Sequence, residues 1–116
     1  MILMIEDETD LIKVIKIKYK NKNIFFCQNL EEALLFYKQN RDKIELIICD
    51  HNFPKKNSYP IEESGLLFFN EIKNNYNKLF IHFSANSCPQ KYALKNFKGR
   101  FETISKDVLE LKNFIK

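Results

Sequence analysis

Five residues of the types that hold metal ions or handle phosphoryl groups stand at the ends of strand-like runs. Glu6 and Asp7 follow MILMI, Asp50 follows IELIIC, Ser84 follows KLFIHF, and Lys106 follows RFETIS. If one fold brings these ends together, three carboxylates share a rim. At about 5 Å and an effective dielectric near 20, each pair of them costs roughly 3 kcal/mol. One lysine offsets part of that. A hard divalent cation offsets more, and Mg²⁺ takes carboxylate oxygens while keeping waters of its own. A carboxylate can also be a covalent nucleophile toward phosphorus, giving an aspartyl phosphate. What remains is to position and neutralise the equatorial oxygens, which suits a metal, an ammonium and a hydroxyl. The set predicts Mg²⁺-dependent phosphoryl chemistry on Asp50, with Ser84 and Lys106 as its partners.

The intervening segments supply elements that could align these ends. Strands are predicted at 1–5, 23–27, 44–50, 78–85 and 100–105. The third is apolar enough to be covered on both faces. Between strands 1 and 2, Leu11, Ile12, Ile15 and Tyr19 fall on one helical face, with Thr9 as the expected N-cap. Asn29 caps LEEALLFYKQN, and Ser64 opens GLLFFNEIKNNY. Residues 88–97 and DVLELKNFIK, begun by an Asp cap, complete the expected helices. Alternating strands and helices imply a (βα)₅ α/β domain, a doubly wound parallel sheet with helices on both faces. Ligand sites in such sheets lie beyond the carboxyl ends of the strands, which is where the five residues stand.

Composition narrows the classes. The chain of 116 residues is 45% hydrophobic and 29% charged, with eleven Phe, no Trp, two Gly and three Pro. This fits one soluble domain with a Phe-rich core, not an all-β chain. The net charge of +4 is spread among acids, and Lys13, Lys16, Lys18, Lys20 and Lys22 read as the exposed side of a helix and its end, so nucleic-acid binding is not expected. No run approaches a membrane span. The N-terminus is too short and too soon acidic for a signal peptide, and cytoplasmic location follows as the default. Cys27 and Cys49 read as small buried residues, without disulfide or zinc spacing.

The stretches ILMIEDE, LIICDHNFP, SGLLFFNEIK, LFIHFSAN and FETISKD occur in that order. Together they resemble the receiver domain of two-component response regulators, over essentially the whole chain. The resemblance implies a flavodoxin-like strand order, 2-1-3-4-5, and a role for each rim residue. Asp50 is the implied phosphoacceptor, receiving its phosphoryl group from a histidine kinase or histidine phosphotransfer protein. Asp7 is implied to bind Mg²⁺ directly, Glu6 through water, and Asn52 by its backbone carbonyl. Ser84 would hydrogen-bond the phosphoryl group, and Lys106 would pair with Asp50 and then with the phosphate. A stand-alone receiver with no output domain, 1–116, would act on a downstream protein target through its surface; it would be a signalling phosphoacceptor, not an enzyme with turnover.

Departures from the family pattern keep a second reading open, a pseudo-receiver that binds partners independently of phosphorylation. The loop between Asp50 and Gly65 is about seven residues longer than is typical; it would either cover the site, alter access for the phosphodonor or form a partner surface, or be an insertion of a kind surface loops tolerate at small entropic cost. Asp107 replaces the usual Pro after the lysine, which removes the preference for a cis bond. Thr103 stands where the family carries its switch aromatic; Phe101, on the same strand face, is expected simply to pack. Asn86 lies near the approach of an attacking water. His51 is expected to be a solvated loop residue, and His82 a core or half-buried one. A third reading, a metal-dependent hydrolase, lacks a general base and a substrate pocket.

Overall fold

The computed structural model describes residues 1–56, 60–61, 63–85 and 88–116, the pair 60–61 by backbone alone. Five parallel strands form one sheet: β1 (Ile2–Ile5), β2 (Ile24–Cys27), β3 (Leu46–Cys49), β4 (Leu79–Phe83) and β5 (Arg100–Ile104). Their order is 2-1-3-4-5, the flavodoxin-like order of a doubly wound sheet. Ile5 pairs with Cys49 and Cys49 with His82, so Glu6 and Asp50 leave the sheet side by side.

Each central strand is buried on both faces, as its unbroken apolar run requires. Leu3, Ile5, Ile47, Cys49 and Phe80 pack beneath helices α2 (Leu30–Asn40) and α3 (Ser64–Ile72), with Phe68, Phe69 and Tyr76. Ile2, Met4, Ile48, Ile81 and Phe83 face the other way, onto Ile15 of α1 (Thr9–Lys18) and Leu111 and Ile115 near the C-terminus. Ile12 and Ile15 are the buried side of α1, as its period predicts, and Asn29 caps α2 by accepting from the Glu32 N–H at 2.8 Å. Cys27 and Cys49 are buried and free. The lysines of α1 and its end are exposed. No described helix is long and apolar enough to cross a membrane.

The local elements depart from the sequence reading in four places. Thr9 is the first residue of α1 and not its cap. Glu8 occupies the cap without a side-chain bond, and its N–H donates instead to the Glu6 carboxylate at 3.1 Å. Where a helix is expected over 88–97, the described residues form only a 3₁₀ turn, Pro89–Lys91; Tyr92 then turns inward and is buried, and Asn96 adopts a left-handed φ of 71°. The last element is likewise a 3₁₀ helix, Val108–Asn113. Val108, Leu111 and Phe114 recur every third residue, the period of that helix, and all three pack on the sheet. Asp107 caps it as expected, accepting from the Leu109 N–H at 2.9 Å. Finally, part of the long loop after Asp50 is ordered: Phe53–Pro54 pairs antiparallel with Pro60–Ile61, Phe53 is buried, and the Lys55 carbonyl accepts from the Glu31 N–H at 3.0 Å. The rest of the predicted insert, at 57–59 and 62, lies outside the described residues.

Candidate functional site

The carboxyl edge of β1 and β3 carries an acidic pocket closed by one lysine. Asp50 is 7% exposed and Glu6 fully buried, yet both follow strands whose neighbours are apolar. Sheet hydrogen bonding carries one residue past β3, the Asp50 N–H donating to the Ile5 carbonyl at 3.0 Å, and this fixes Asp50 beside Glu6. Carboxylate oxygens of Glu6, Asp7 and Asp50 all lie within 4.8 Å of one another. Lys106 reaches in from the end of β5. Its ammonium lies 3.0 Å from Asp50 Oδ2 and 2.9 and 3.1 Å from the two Glu6 oxygens, with Glu8 at 3.8 Å. The Lys106–Asp107 peptide is trans, and the lysine still meets Asp50. The other Asp50 oxygen, Oδ1, accepts from the His51 N–H at 2.7 Å.

The electrostatics follow from crowding. Burial and the charge of Asp50 push the Glu6 carboxyl up to about 7, against the pull of Lys106. Asp7 is also raised, first by burial. Burial alone would lower Lys106; its hydrogen bond to Glu6 and the charge of Asp50 more than reverse this. One ammonium therefore serves a set of carboxylates that remains short of positive charge. Glu6 Oε1 is buried and, despite the nearby ammonium, accepts no hydrogen bond among the described residues. A hard divalent cation fits this donor set: close oxygen ligands, excess negative charge and a buried carboxylate oxygen, Glu6 Oε1, without a hydrogen bond.

The structure therefore brings Glu6, Asp7, Asp50 and Lys106 together as their strand-end positions predict. Ser84 is buried at the end of β4, its N–H donating to the Ile104 carbonyl at 3.3 Å. Asn52 lies two residues beyond Asp50; its side chain is turned away, accepting from the Glu63 N–H at 2.7 Å. Asn86 lies outside the described residues. Phe101 packs against Phe80, Tyr92 and Phe69, as expected.

His51 corrects the sequence reading. It is 4% exposed, not solvated, and its Nδ1 lies 3.1 Å from the Tyr92 hydroxyl and 3.2 Å from Nε2 of the fully buried His82. Glu63, at the head of α3 with a φ of 60°, lies 4.0 Å from His51 Nε2 and forms an ion pair with Lys91. Gly65 permits this closeness, since a Cβ there would collide with the Asp50 carbonyl and press on Tyr92. The cluster depends on Tyr92, 41 residues from His51, within a segment whose expected helix does not form. The adjacency of His51 to Asp50 was the one visible signal.

A five-stranded flavodoxin-like domain with an acidic pocket at the carboxyl edge of its sheet is thus defined, and its fold is that of response-regulator receivers. Among similar solved structures is the signal receiver domain of a protein described as a Luxo repressor from Vibrio parahaemolyticus. It has 25% identity and a TM-score of 0.67, over 97% of this chain and 83% of that one. A response regulator receiver domain protein from Clostridium thermocellum has 23% identity and a TM-score of 0.74, over 98% and 89%. A two-component response regulator from Clostridium difficile has 21% identity and a TM-score of 0.70, over 99% and 91%. No family model and no curated protein matches the sequence.

Proposed function

We propose that this chain is a response-regulator receiver that accepts a phosphoryl group on Asp50, with Mg²⁺, from a phosphohistidine of a histidine kinase or phosphotransfer protein. An Asp50 carboxylate oxygen attacks phosphorus, the phosphorus–nitrogen bond of the donor breaks, and the imidazole leaves. Glu6, Asp7, Asp50 and the Asn52 carbonyl are the residues that would hold the cation, which supplies charge neutralisation at the phosphoryl oxygens when bound. Lys106 orients the carboxylate before transfer and neutralises phosphoryl oxygen after it. The Ser84 hydroxyl is assigned to the phosphoryl group. The protein acts through contacts with a downstream protein, as a signalling acceptor in the cytoplasm and not as an enzyme with a separate substrate. The observation that carries the reading is the convergence of Glu6, Asp7 and Asp50 around the Lys106 ammonium at the switch edge of a receiver fold.

The test is intact mass after incubation with acetyl phosphate or phosphoramidate and Mg²⁺. The expected result is a gain of about 80 Da, one phosphoryl group, lost in Asp50→Asn and in EDTA. A second reading, a phosphorylation-independent interaction module, draws support from the described segment between β4 and β5, which holds only the turn Pro89–Lys91 in place of a helix. It predicts no mass gain from a folded protein, and partner binding indifferent to Asp50→Asn.

A further inference from the structure

Beside the acidic pocket, the cluster of His51, His82 and Tyr92 holds more hydrogen-bonding groups than it can satisfy at once. His51 Nδ1 faces both the Tyr92 hydroxyl at 3.1 Å and His82 Nε2 at 3.2 Å. The Glu63 carboxylate, 4.0 Å from Nε2, favours the His51 proton on that nitrogen, which leaves a single lone pair on Nδ1. Two donors compete for it. Meanwhile two other buried polar atoms have no hydrogen-bond partner among the described residues: His82 Nδ1 and Thr103 Oγ1. His82 and Thr103 are register partners on β4 and β5. Neighbouring strands are about 5 Å apart. His82 packs near Phe101, and Phe101 and Thr103, two residues apart, share a strand face. The unfilled acceptor and the unfilled donor therefore belong to residues paired across neighbouring strands.

We propose that these four residues form a two-position hydrogen-bond switch that reports the state of Asp50 to the edge strand β5. The inference rests on the reading of Asp50 as a phosphoacceptor. In the first position, His82 Nε2–H donates to His51 Nδ1, and the Tyr92 hydroxyl proton is left without an acceptor. In the second, Tyr92 O–H donates to His51 Nδ1, and His82 turns so that its Nδ1 accepts from Thr103 Oγ1–H. No proton changes residue; one set of hydrogen bonds replaces another. The second set satisfies both orphaned atoms and the Tyr92 proton, and releases His82 Nε2–H from His51 Nδ1 in exchange.

The link to Asp50 is the 2.7 Å bond from the His51 N–H to Asp50 Oδ1. Against an ionised carboxylate this bond is charge-assisted and roughly twice as strong as a neutral one. Phosphorylation converts the carboxylate to a mixed anhydride, so the carboxyl oxygens lose their charge and the negative charge moves out to the phosphoryl oxygens, whichever oxygen carries the group. The restraint on the His51 backbone weakens, and its imidazole shifts relative to Tyr92 and His82. Thr103 thus becomes a working part of the switch, where the resemblance implies an aromatic side chain.

The test is nuclear magnetic resonance of protein with ¹⁵N-labelled imidazoles, with Mg²⁺ and with or without beryllofluoride as the phosphoryl mimic. Backbone amides of Asp7 and Asp50 report occupancy of the acceptor. The expected result is a shift of the His82 Nδ1 resonance on occupancy, as its lone pair gains a donor. In Thr103→Val, which keeps the side-chain shape, that shift falls to less than half while the Asp7 and Asp50 changes persist. Tyr92→Phe is expected to give the same loss. Occupancy with unmoved imidazoles overturns the switch and leaves the phosphoacceptor reading intact. An undiminished His82 shift in Thr103→Val also overturns it. No occupancy at all in folded protein overturns both.

Discussion

Two buried polar clusters lie one residue apart in this molecule and are built on opposite principles. The pocket of Glu6, Asp7, Asp50 and Lys106 is charged and short of positive charge. The cluster of His51, His82 and Tyr92 has no carboxylate among its members, and two of its groups face one nitrogen while another nitrogen has no partner among the described residues. The first responds to cations, because its free energy is Coulombic. The second responds to geometry, because its members compete for a single nitrogen. Asp50 belongs to the first cluster by its side chain and touches the second through the backbone of His51. A change of charge in one can thereby become a change of hydrogen bonding in the other.

The sharpest way to break the comparison is to remove the lysine. Lys106→Met leaves Glu6 and Asp50 buried without their cation, and breaking a buried pair costs about 3–5 kcal/mol. The urea midpoint without metal is expected to fall accordingly and to recover in part with millimolar Mg²⁺. An unchanged midpoint would mean that Lys106 does not hold the pocket together.

The pH dependence separates the two clusters by sign. His82 is held down to about 4 by burial, then by the neighbouring His51. Its neutral form is favoured by folding, so stability is lost as pH falls from about 6.5 toward 4, on the order of 3 kcal/mol. Glu6 is raised to about 7. Its protonated form is favoured by folding, so without metal stability is lost as pH rises from about 4.5 through 7, on the order of 3 kcal/mol. Urea midpoints in EDTA across this range should therefore show two opposed slopes. His82→Phe should abolish the acid-side loss and keep the other; loss of both slopes together would show that the clusters are not separable.

Gly65→Ala tests the wall they share. Its Cβ would meet the Asp50 carbonyl and the Tyr92 hydroxyl, and overpacking of this kind costs about 1–3 kcal/mol. Both the mass gain with acetyl phosphate and the His82 resonance are expected to change. The smallest effect belongs to a site remote from both. Asn29→Ala removes the cap of α2 at a cost of about 1 kcal/mol and should leave phosphoryl acceptance as it was; a large loss of acceptance there would join α2 to the site.

The acidic pocket was legible in sequence because it follows from strand ends alone. An apolar run such as LIIC has to be a buried strand, and a parallel sheet puts the next residue on its carboxyl edge. Glu6, Asp7, Asp50 and Lys106 needed no further information. His51 was not legible, because its burial depends on Tyr92 and on the bare backbone of Gly65, neither of them local to it. The 88–97 segment misled for a related reason. Its composition allows a helix, but burying Tyr92 against His51 and His82 wins over continuing one. Thr9 missed being a cap because the neighbouring acceptor, the Glu6 carboxylate, serves the helix start from outside the helix.

The paired segment beyond Asp50 has a consequence in chain entropy. By fastening the Lys55 carbonyl to the Glu31 N–H, it divides a long excursion between Asp50 and α3 into shorter spans, each with fewer conformations to lose on closing. Length that would loosen the surroundings of Asp50 is converted into a brace. A displacement of the Asp50 loop therefore bears on the first turn of α2 through a backbone contact, on the flank of the sheet opposite Lys106.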